Sequence, residues 1–263
     1  MKKLFSIAGV LAVLIFVVLI LLKPQTCINS VISGLILCGR VIIPALYPFT
    51  FCVLFILKSG TLEKLKLPEP VCIFLLSLIG GYPLGAKMLN ESQISPKNAS
   101  LMLNYCVNAG PAFIILSVGN GVFHSQKIGI LLYFAHLLPS VIMAFFFRKK
   151  LKFPTESKAR KRPNIINNFV LSASESASAL ISICSFVILF SVICEYIKLL
   201  PALTPLTLFL EVSNGIVTSR NIYLISFLLG FGGICIWAQV FSLSKKLRCN
   251  YFSLFYAAFS TLR

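Results

Sequence analysis

The sequence contains no aspartate and only seven glutamates among its 263 residues, and charged residues of both signs make up 12% of it. An average globular domain contains about 25% charged residues. So few charges cannot cover a surface that faces water, whereas hydrophobic residues make up 58% of the chain and mean hydropathy is +0.93. The composition therefore excludes a soluble protein and predicts an all-α integral membrane protein.

The residues that most enzymes and metal sites need are also scarce. The only histidines are His124 and His136, and the HExxH, GxSxG and P-loop patterns are absent. Nine cysteines are present, but most lie in apolar runs without the paired spacing of metal ligands. We predict no catalytic residue, no metal site and no cofactor, so the protein is not an enzyme; an intramembrane enzyme is the remaining alternative.

The formal charge of +17 would indicate a nucleic-acid surface in a soluble protein. Here the basic residues lie mainly at the ends of apolar runs, so we predict anionic lipid rather than nucleic acid as their partner. The segment Arg148–Arg162 carries eight basic residues and one acidic residue. Since basic loops stay in the cytoplasm, this loop, the N-terminus with Lys2 and Lys3, and the C-terminal tail are predicted to be cytoplasmic.

A helix of about 20 apolar residues crosses the hydrocarbon core of a bilayer. The sequence predicts about six such spans, namely Leu4–Leu22, Val31–Leu57, Leu101–Val118, Ile128–Phe147, Phe169–Leu200 and Asn221–Ser244. Because all three basic anchors are predicted to be cytoplasmic, an even number of spans must separate each from the next. The six spans already satisfy this condition, so the segments 71–89 and 201–220 are predicted to be re-entrant or interfacial pieces that do not cross.

This order of segments predicts two similar membrane halves, and it divides the whole chain into five parts. The proposed divisions are a signal-anchor helix and linker (1–30), a first half (31–147), a basic cytoplasmic loop (148–168), a second half (169–244) and a cytoplasmic tail (245–263).

Three places combine glycine or proline with polar residues inside apolar segments: Gly80–Lys87, Asn108–Phe113, and Gly230–Gly233 followed by Gln239. Ser95-Pro96 predicts a helix start before the second of them. Non-helical backbone is tolerated at membrane depth only where protein or water satisfies it, so the breaks predict a cavity. For each break alone, a kink or close helix packing is the alternative.

Ionisable residues within spans are expensive and are therefore functional candidates. Arg40, Lys87, Glu175 and Glu211 qualify, and Lys87 either binds an anion or extends to the membrane interface. The predicted substrate-binding residues lie in or beside the breaks and are Gly81, Tyr82, Pro83, Gly85, Lys87, Asn108, Gly110, Pro111, Phe113, Glu211, Gly232, Gly233 and Gln239.

The segments Gly81–Lys87 and Asn108–Ile114, with the helix start at Ile94-Ser95 between them, resemble the sporulation integral membrane protein family of the YlbJ type. Glu211–Gly215 and Gly230–Gly233 with Gln239 are similar to later motifs of that family. The resemblance implies a Gate, or nucleoside-recognition, domain and a role in spore formation in Gram-positive bacteria. For some members it also implies movement of dipicolinic acid into the spore.

We expect a bacterial cell-membrane transporter for a small anionic metabolite, with dipicolinic acid as the leading substrate by resemblance. The alternative is a non-transporting sporulation protein that recruits partners through its basic loop. The expected partners are the lipid bilayer and the anion, with a homo-oligomer or sporulation membrane proteins as further candidates. The cell membrane, or a membrane around the forespore, is the expected location.

Overall fold

A computed structural model describes residues 2–59, 67–148, 151, 164–219 and 221–244. Every regular element in these ranges is a helix, which confirms the all-α prediction. In chain order the elements are α1 (Lys2–Leu22), α2 (Pro24–Lys58), α3 (Glu69–Gly80), α4 (Tyr82–Glu91), α5 (Pro96–Cys106), a π-helix (Ala112–Asn120), α6 (Gln126–Phe147), α7 (Ile165–Lys198), a 3-10 helix (Pro201–Leu206), α8 (Thr207–Leu210), α9 (Val212–Thr218), α10 (Ile222–Phe231) and α11 (Gly233–Leu243).

Four of these helical stretches are long and apolar enough to cross a membrane: α2, α6, α7, and α10 together with α11. They correspond to four of the six predicted spans, and a fifth, Leu4–Leu22, lies within α1. The sixth, Leu101–Val118, is divided between α5 and the π-helix. The predicted helix start at Ser95 is confirmed, because its side chain accepts a hydrogen bond from the Asn98 amide. The chain is an integral membrane protein.

The two longest helices, α2 and α7, run antiparallel and pack along each other. At one end the Asn168 side-chain amide donates to the Lys58 carbonyl at 2.8 Å, and at the other the Tyr196 hydroxyl donates to the Lys23 carbonyl at 2.8 Å. A short π-helical stretch, Cys38–Ile42, interrupts α2 near its middle. The pair forms one wall of the molecule.

Helices α3 and α4 form a hairpin rather than one crossing. A side chain added at Gly85 would lie 3.2 Å from the Ser77 Cβ, although eight positions separate the two residues. The Gln93 amide also lies 3.5 Å from a carboxylate oxygen of Glu69, so the end of the hairpin lies beside its beginning. With twelve residues, α3 is too short to cross, and the hairpin has the geometry predicted for a re-entrant segment.

The second interrupted connector also folds back. A Cβ added at Gly215 would lie 3.7 Å from the Cα of Leu208, so α9 returns along α8. The order of elements is therefore repeated: after a long helix, α2 or α7, come a short hairpin and then an interrupted helical pair. The division into two halves stays a prediction.

The outer surface and the interior differ sharply in the side chains they present. Leu131, Phe146 and Ile166 are 66–74% exposed, which is expected of side chains that face lipid. Met102 and Ile225, from the interrupted segments, are fully buried. The broken pieces thus form the core, and the long helices surround them.

Candidate functional site

The chain is interrupted at four places inside the core. The breaks are Gly81, with a positive φ of 86°, the extended segment 107–110, Glu211, and Gly232, with φ of 77°. Three were predicted, but two of those are narrower than expected: only Gly81 is non-helical in Gly80–Lys87, and only Gly232 in Gly230–Gly233. Lys87 therefore lies on a helix rather than in a loop.

The breaks contact one another through backbone. A Cβ added at Gly110 would lie 3.1 Å from the Gly81 amide nitrogen and 3.0 Å from the Ile79 carbonyl oxygen. A Cβ at Gly233 would lie 3.3 Å from the Phe209 carbonyl oxygen, beside the break at Glu211. Glycine at these positions lets two interrupted segments cross with only backbone between them.

Side chains from neighbouring helices satisfy backbone groups that the breaks release. His136 accepts a hydrogen bond from the Ala109 amide at 3.0 Å, and the Tyr82 hydroxyl donates to the Leu229 carbonyl. Tyr133 donates to the Leu78 carbonyl at 3.0 Å, and the Trp237 indole donates to the Phe231 carbonyl at 3.2 Å. Irregular backbone is tolerated in a membrane only when its polar groups have such hydrogen-bond partners.

A cavity of about 60 Å³ lies where the breaks meet, and we call it the central cavity. It brings together eight of the predicted site residues: Gly81, Tyr82, Pro83, Lys87, Gly110, Phe113, Glu211 and Gln239. Helices α2 and α7 close it with Ile42, Thr50 and Ile183, among others. A cavity of this volume holds a few water molecules, so a metabolite requires it to widen.

Lys87 has a partner that the sequence did not identify. Its ammonium lies 3.1 Å from one carboxylate oxygen of Glu175, and the Lys58 ammonium lies 2.8 Å from the other. The Lys87 side chain is 13% exposed and that of Glu175 is 31% exposed. The two ammonium groups thus share one carboxylate, and the Lys58–Glu175–Lys87 cluster has a net charge of +1.

Glu211 and Gln239 supply the other polar groups of the central cavity. Glu211 is 2% exposed, and its carboxylate accepts a hydrogen bond from the Ser213 amide at 3.0 Å. The buried amide of Gln239 lies 3.4 Å from the Cys235 sulfur. Both residues come from the second half of the chain, whereas Lys87 comes from the first.

Helix N-termini bring partial positive charge to the central cavity, and the Glu211 carboxylate and the C-terminal end of α3 at Gly80 bring negative charge. The cavity is lined by residues at the N-terminal ends of α4 and of the π-helix, including Tyr82, Pro83 and Phe113. The N-terminus of a helix carries about half a positive charge. Two such ends add to the charge of Lys87, as in sites that bind anionic groups.

Five predicted site residues do not line the central cavity: Gly85, Asn108, Pro111, Gly232 and Gly233. Gly85 is a packing position, because a Cβ there would lie 1.9 Å from the Cys106 carbonyl oxygen. Asn108 lines a second cavity, which shares no lining residue with the central cavity. Gly232 and Gly233 form the turn between α10 and α11, where their positive φ is needed.

A third cavity of about 490 Å³ adjoins the central one and is lined by Arg40, so we call it the Arg40 cavity. The two share Ile42, Phe113 and Ser213 as a common wall. No described residue forms an ion pair with Arg40. Since Arg40 precedes Lys58 by eighteen positions on α2, it lies about 27 Å away along the helix axis.

Some functional candidates could be found from sequence and others could not. Arg40 and Glu175 stand out as charges within apolar segments, but Lys58 resembles an ordinary interface lysine. Its role follows only from packing between segments 117 positions apart. No group of three or more His, Cys, Asp or Glu side chains in the described ranges is arranged to hold a metal ion.

Comparison with known proteins gives one informative relationship. The chain is 27% identical to the sporulation integral membrane protein YlbJ of Bacillus subtilis (strain 168), over 82% of this chain and 70% of that protein. This similarity confirms the predicted resemblance to the YlbJ type. No family model matches the chain. No solved structure matches it.

Proposed function

From its relationship to a sporulation integral membrane protein, we propose that this chain is a bacterial transporter of a small organic anion. The observation that carries the proposal is the convergence of three of the four helix breaks, at Gly81, Gly110 and Glu211, on one cavity with a partly buried lysine. Discontinuous helices around a polar cavity are the usual way in which secondary transporters bind substrate. A protein that only recruits partners has no need of such a cavity.

The charges favour an anion over a neutral nucleoside. The Lys58–Glu175–Lys87 cluster has a net charge of +1, and two helix N-termini add partial positive charge. The Glu211 carboxylate, which also lines the cavity, accepts a hydrogen bond from the Ser213 amide. An incoming carboxylate can take the place of Glu175 on the Lys87 ammonium without leaving either lysine unpaired, since Glu175 keeps Lys58. Dipicolinate, which has two carboxylates, is the leading substrate because of the family resemblance.

The route to the central cavity passes through the Arg40 cavity. The Arg40 guanidinium provides a first contact for an anion. Ile42 and Phe113, which line both cavities, lie between the Arg40 cavity and the central cavity that contains Lys87. If Lys58 is at the cytoplasmic interface, Arg40 lies near the opposite face of a hydrocarbon core about 30 Å thick. The anion therefore meets positive charge at the mouth and again at the centre.

The test is uptake of labelled dipicolinate into vesicles that contain the purified protein, with a labelled nucleoside as the competing substrate. Lys87→Gln should raise the half-saturating dipicolinate concentration about tenfold or more, because it removes a charge-assisted hydrogen bond worth about 1.5–3 kcal/mol. Lys87→Arg keeps the charge and should retain most of the uptake at low substrate concentration.

Lys198→Gln is the matched control, because Lys198 pairs with Glu195 on the exposed end of α7. It removes a lysine outside the cavity and should leave uptake unchanged. Uptake by wild type and Lys87→Gln at the same half-saturating concentration would rule out the proposed role of Lys87. A folded protein that transports neither compound would favour the recruiting alternative.

A further inference from the structure

A polar cavity of about 100 Å³ lies between α5, α6 and α10, and it shares no lining residue with the central cavity. Its polar lining consists of Asn104, Asn108, His136, Ser140 and Ser226, and we call it the amide cavity. Polar side chains buried in a membrane protein need hydrogen-bond partners. Most of these side chains have them, but one oxygen does not.

The two asparagines use their side-chain nitrogens to bond backbone and keep their oxygens as acceptors. The Asn104 side-chain nitrogen donates to the Leu101 carbonyl at 3.0 Å, and that of Asn108 donates to the Tyr105 carbonyl at 2.7 Å. Each amide is therefore held with its nitrogen against helix backbone. The Asn104 Oδ1 is buried and accepts no hydrogen bond from any described residue.

A second acceptor lies beside it. The Asn108 Oδ1 accepts a hydrogen bond from the Ser140 hydroxyl, and a carbonyl oxygen has room for a second partner. The hydroxyl oxygen of Ser140 keeps its own lone pairs. Asn104, Asn108 and Ser140 thus offer three neutral oxygen ligands on adjacent helices.

The amide cavity also lies at the negative ends of two helices. Asn104 and Asn108 stand at the C-terminal end of α5, while Leu229 and Gly230 stand at that of α10. Each helix C-terminus carries about half a negative charge. Two of them amount to about one negative charge, although no described acidic side chain lines the cavity.

We propose that the amide cavity binds one monovalent metal cation, such as Na⁺ or K⁺. An unpaired amide oxygen, two further oxygen ligands and about one balancing negative charge suit a monovalent cation. A divalent ion would keep about one uncompensated charge in a low-dielectric site, and an anion would face the negative ends of two helices. The inference stands apart from the proposed transport of an anion, since it concerns other side chains.

The site can be tested by the thermal stability of the purified protein in NaCl, KCl or choline chloride at equal concentration and without substrate. Bound Na⁺ or K⁺ should raise Tm by about 3–6 °C when its concentration is tenfold above the dissociation constant. Choline is too large for the site and should have no effect. Equal Tm values in all three salts would overturn the proposal.

Asn104→Leu removes the unpaired oxygen while keeping the side chain about the same size, and it should abolish the rise in Tm caused by the metal cation. Asn29→Leu is the matched control, because Asn29 lies on α2 away from the cavity and bonds only to Gln25 among described residues. It should keep the full rise. Should Asn104→Leu fold poorly, Ser140→Ala tests the same site with a smaller change.

A rise in Tm that survives in both Asn104→Leu and Ser140→Ala would place the cation elsewhere and overturn the assignment. Because the three salts share the chloride ion and no substrate anion is added, this result is independent of uptake. A protein that transports dipicolinate without any response to Na⁺ or K⁺ would support the proposed function and refute this inference.

Discussion

Glu175 is the residue that sets the net charge of the lysine cluster beside the central cavity. It contacts both Lys58 and Lys87, and the cluster of two lysines and one glutamate has a net charge of +1. A buried ammonium without a partner is expensive in a membrane. Glu175 therefore allows two lysines to remain charged at partly buried positions.

Glu175→Gln should lower the stability of the protein by about 2 kcal/mol, between the values for exposed and fully buried ion pairs, because the cluster then carries two uncompensated charges. Thermal denaturation of the purified protein measures the change. Adding Lys58→Gln restores a net charge of +1, so the double variant should recover part of the loss. A double variant less stable than Glu175→Gln alone would contradict this account.

Among the described glycines, the closest approach to another segment joins the α3–α4 hairpin to the end of α5. Gly85 provides it, because the Cys106 carbonyl lies where a side chain would be. Gly39, by contrast, has open space within 4 Å of the position of an added Cβ. The two glycines serve different purposes although both lie in helices.

Gly85→Ala should destabilise the protein by about 1–3 kcal/mol, since a backbone carbonyl cannot move as easily as a side chain. Gly39→Ala should be neutral or stabilising by up to about 1 kcal/mol through helix propensity. Comparing the Tm values of the two variants checks both. Equal losses would show that the hairpin adapts to the added methyl group.

Three of the four breaks were accessible from the sequence because their cause is local, whereas the break at Glu211 was not predicted. Glycine, proline and Ser95-Pro96 act on their own backbone, and the structure has its irregular residues at or beside the predicted ones. The pairing of breaks was not accessible. The contact between Gly81 and Gly110, and the hydrogen bond from Ala109 to His136, depend on how distant segments pack. Local sequence patterns do not predict contacts between distant segments.

For the whole molecule, the predicted orientation rests on the basic loop Arg148–Arg162. Apart from Arg148 and Leu151, this loop lies outside the described residues, as does the C-terminal tail from residue 245. Ser157→Cys should react with a membrane-impermeant thiol reagent only after lysis of the cells. The parent protein, with its nine cysteines, gives the background. Labelling of intact cells would reverse the topology.

The antiparallel pair of α2 and α7 also has a consequence for the surrounding bilayer. With 35 and 34 residues, both helices are about 50 Å long, against a hydrocarbon core of about 30 Å. Even at a tilt of about 40°, roughly two turns of each extend beyond the core. Because hydrogen bonds join the pair at both ends, the helices must tilt together. Hydrophobic mismatch with a thinner or thicker bilayer would therefore shift the depth of the lysine cluster and both cavities beside α2.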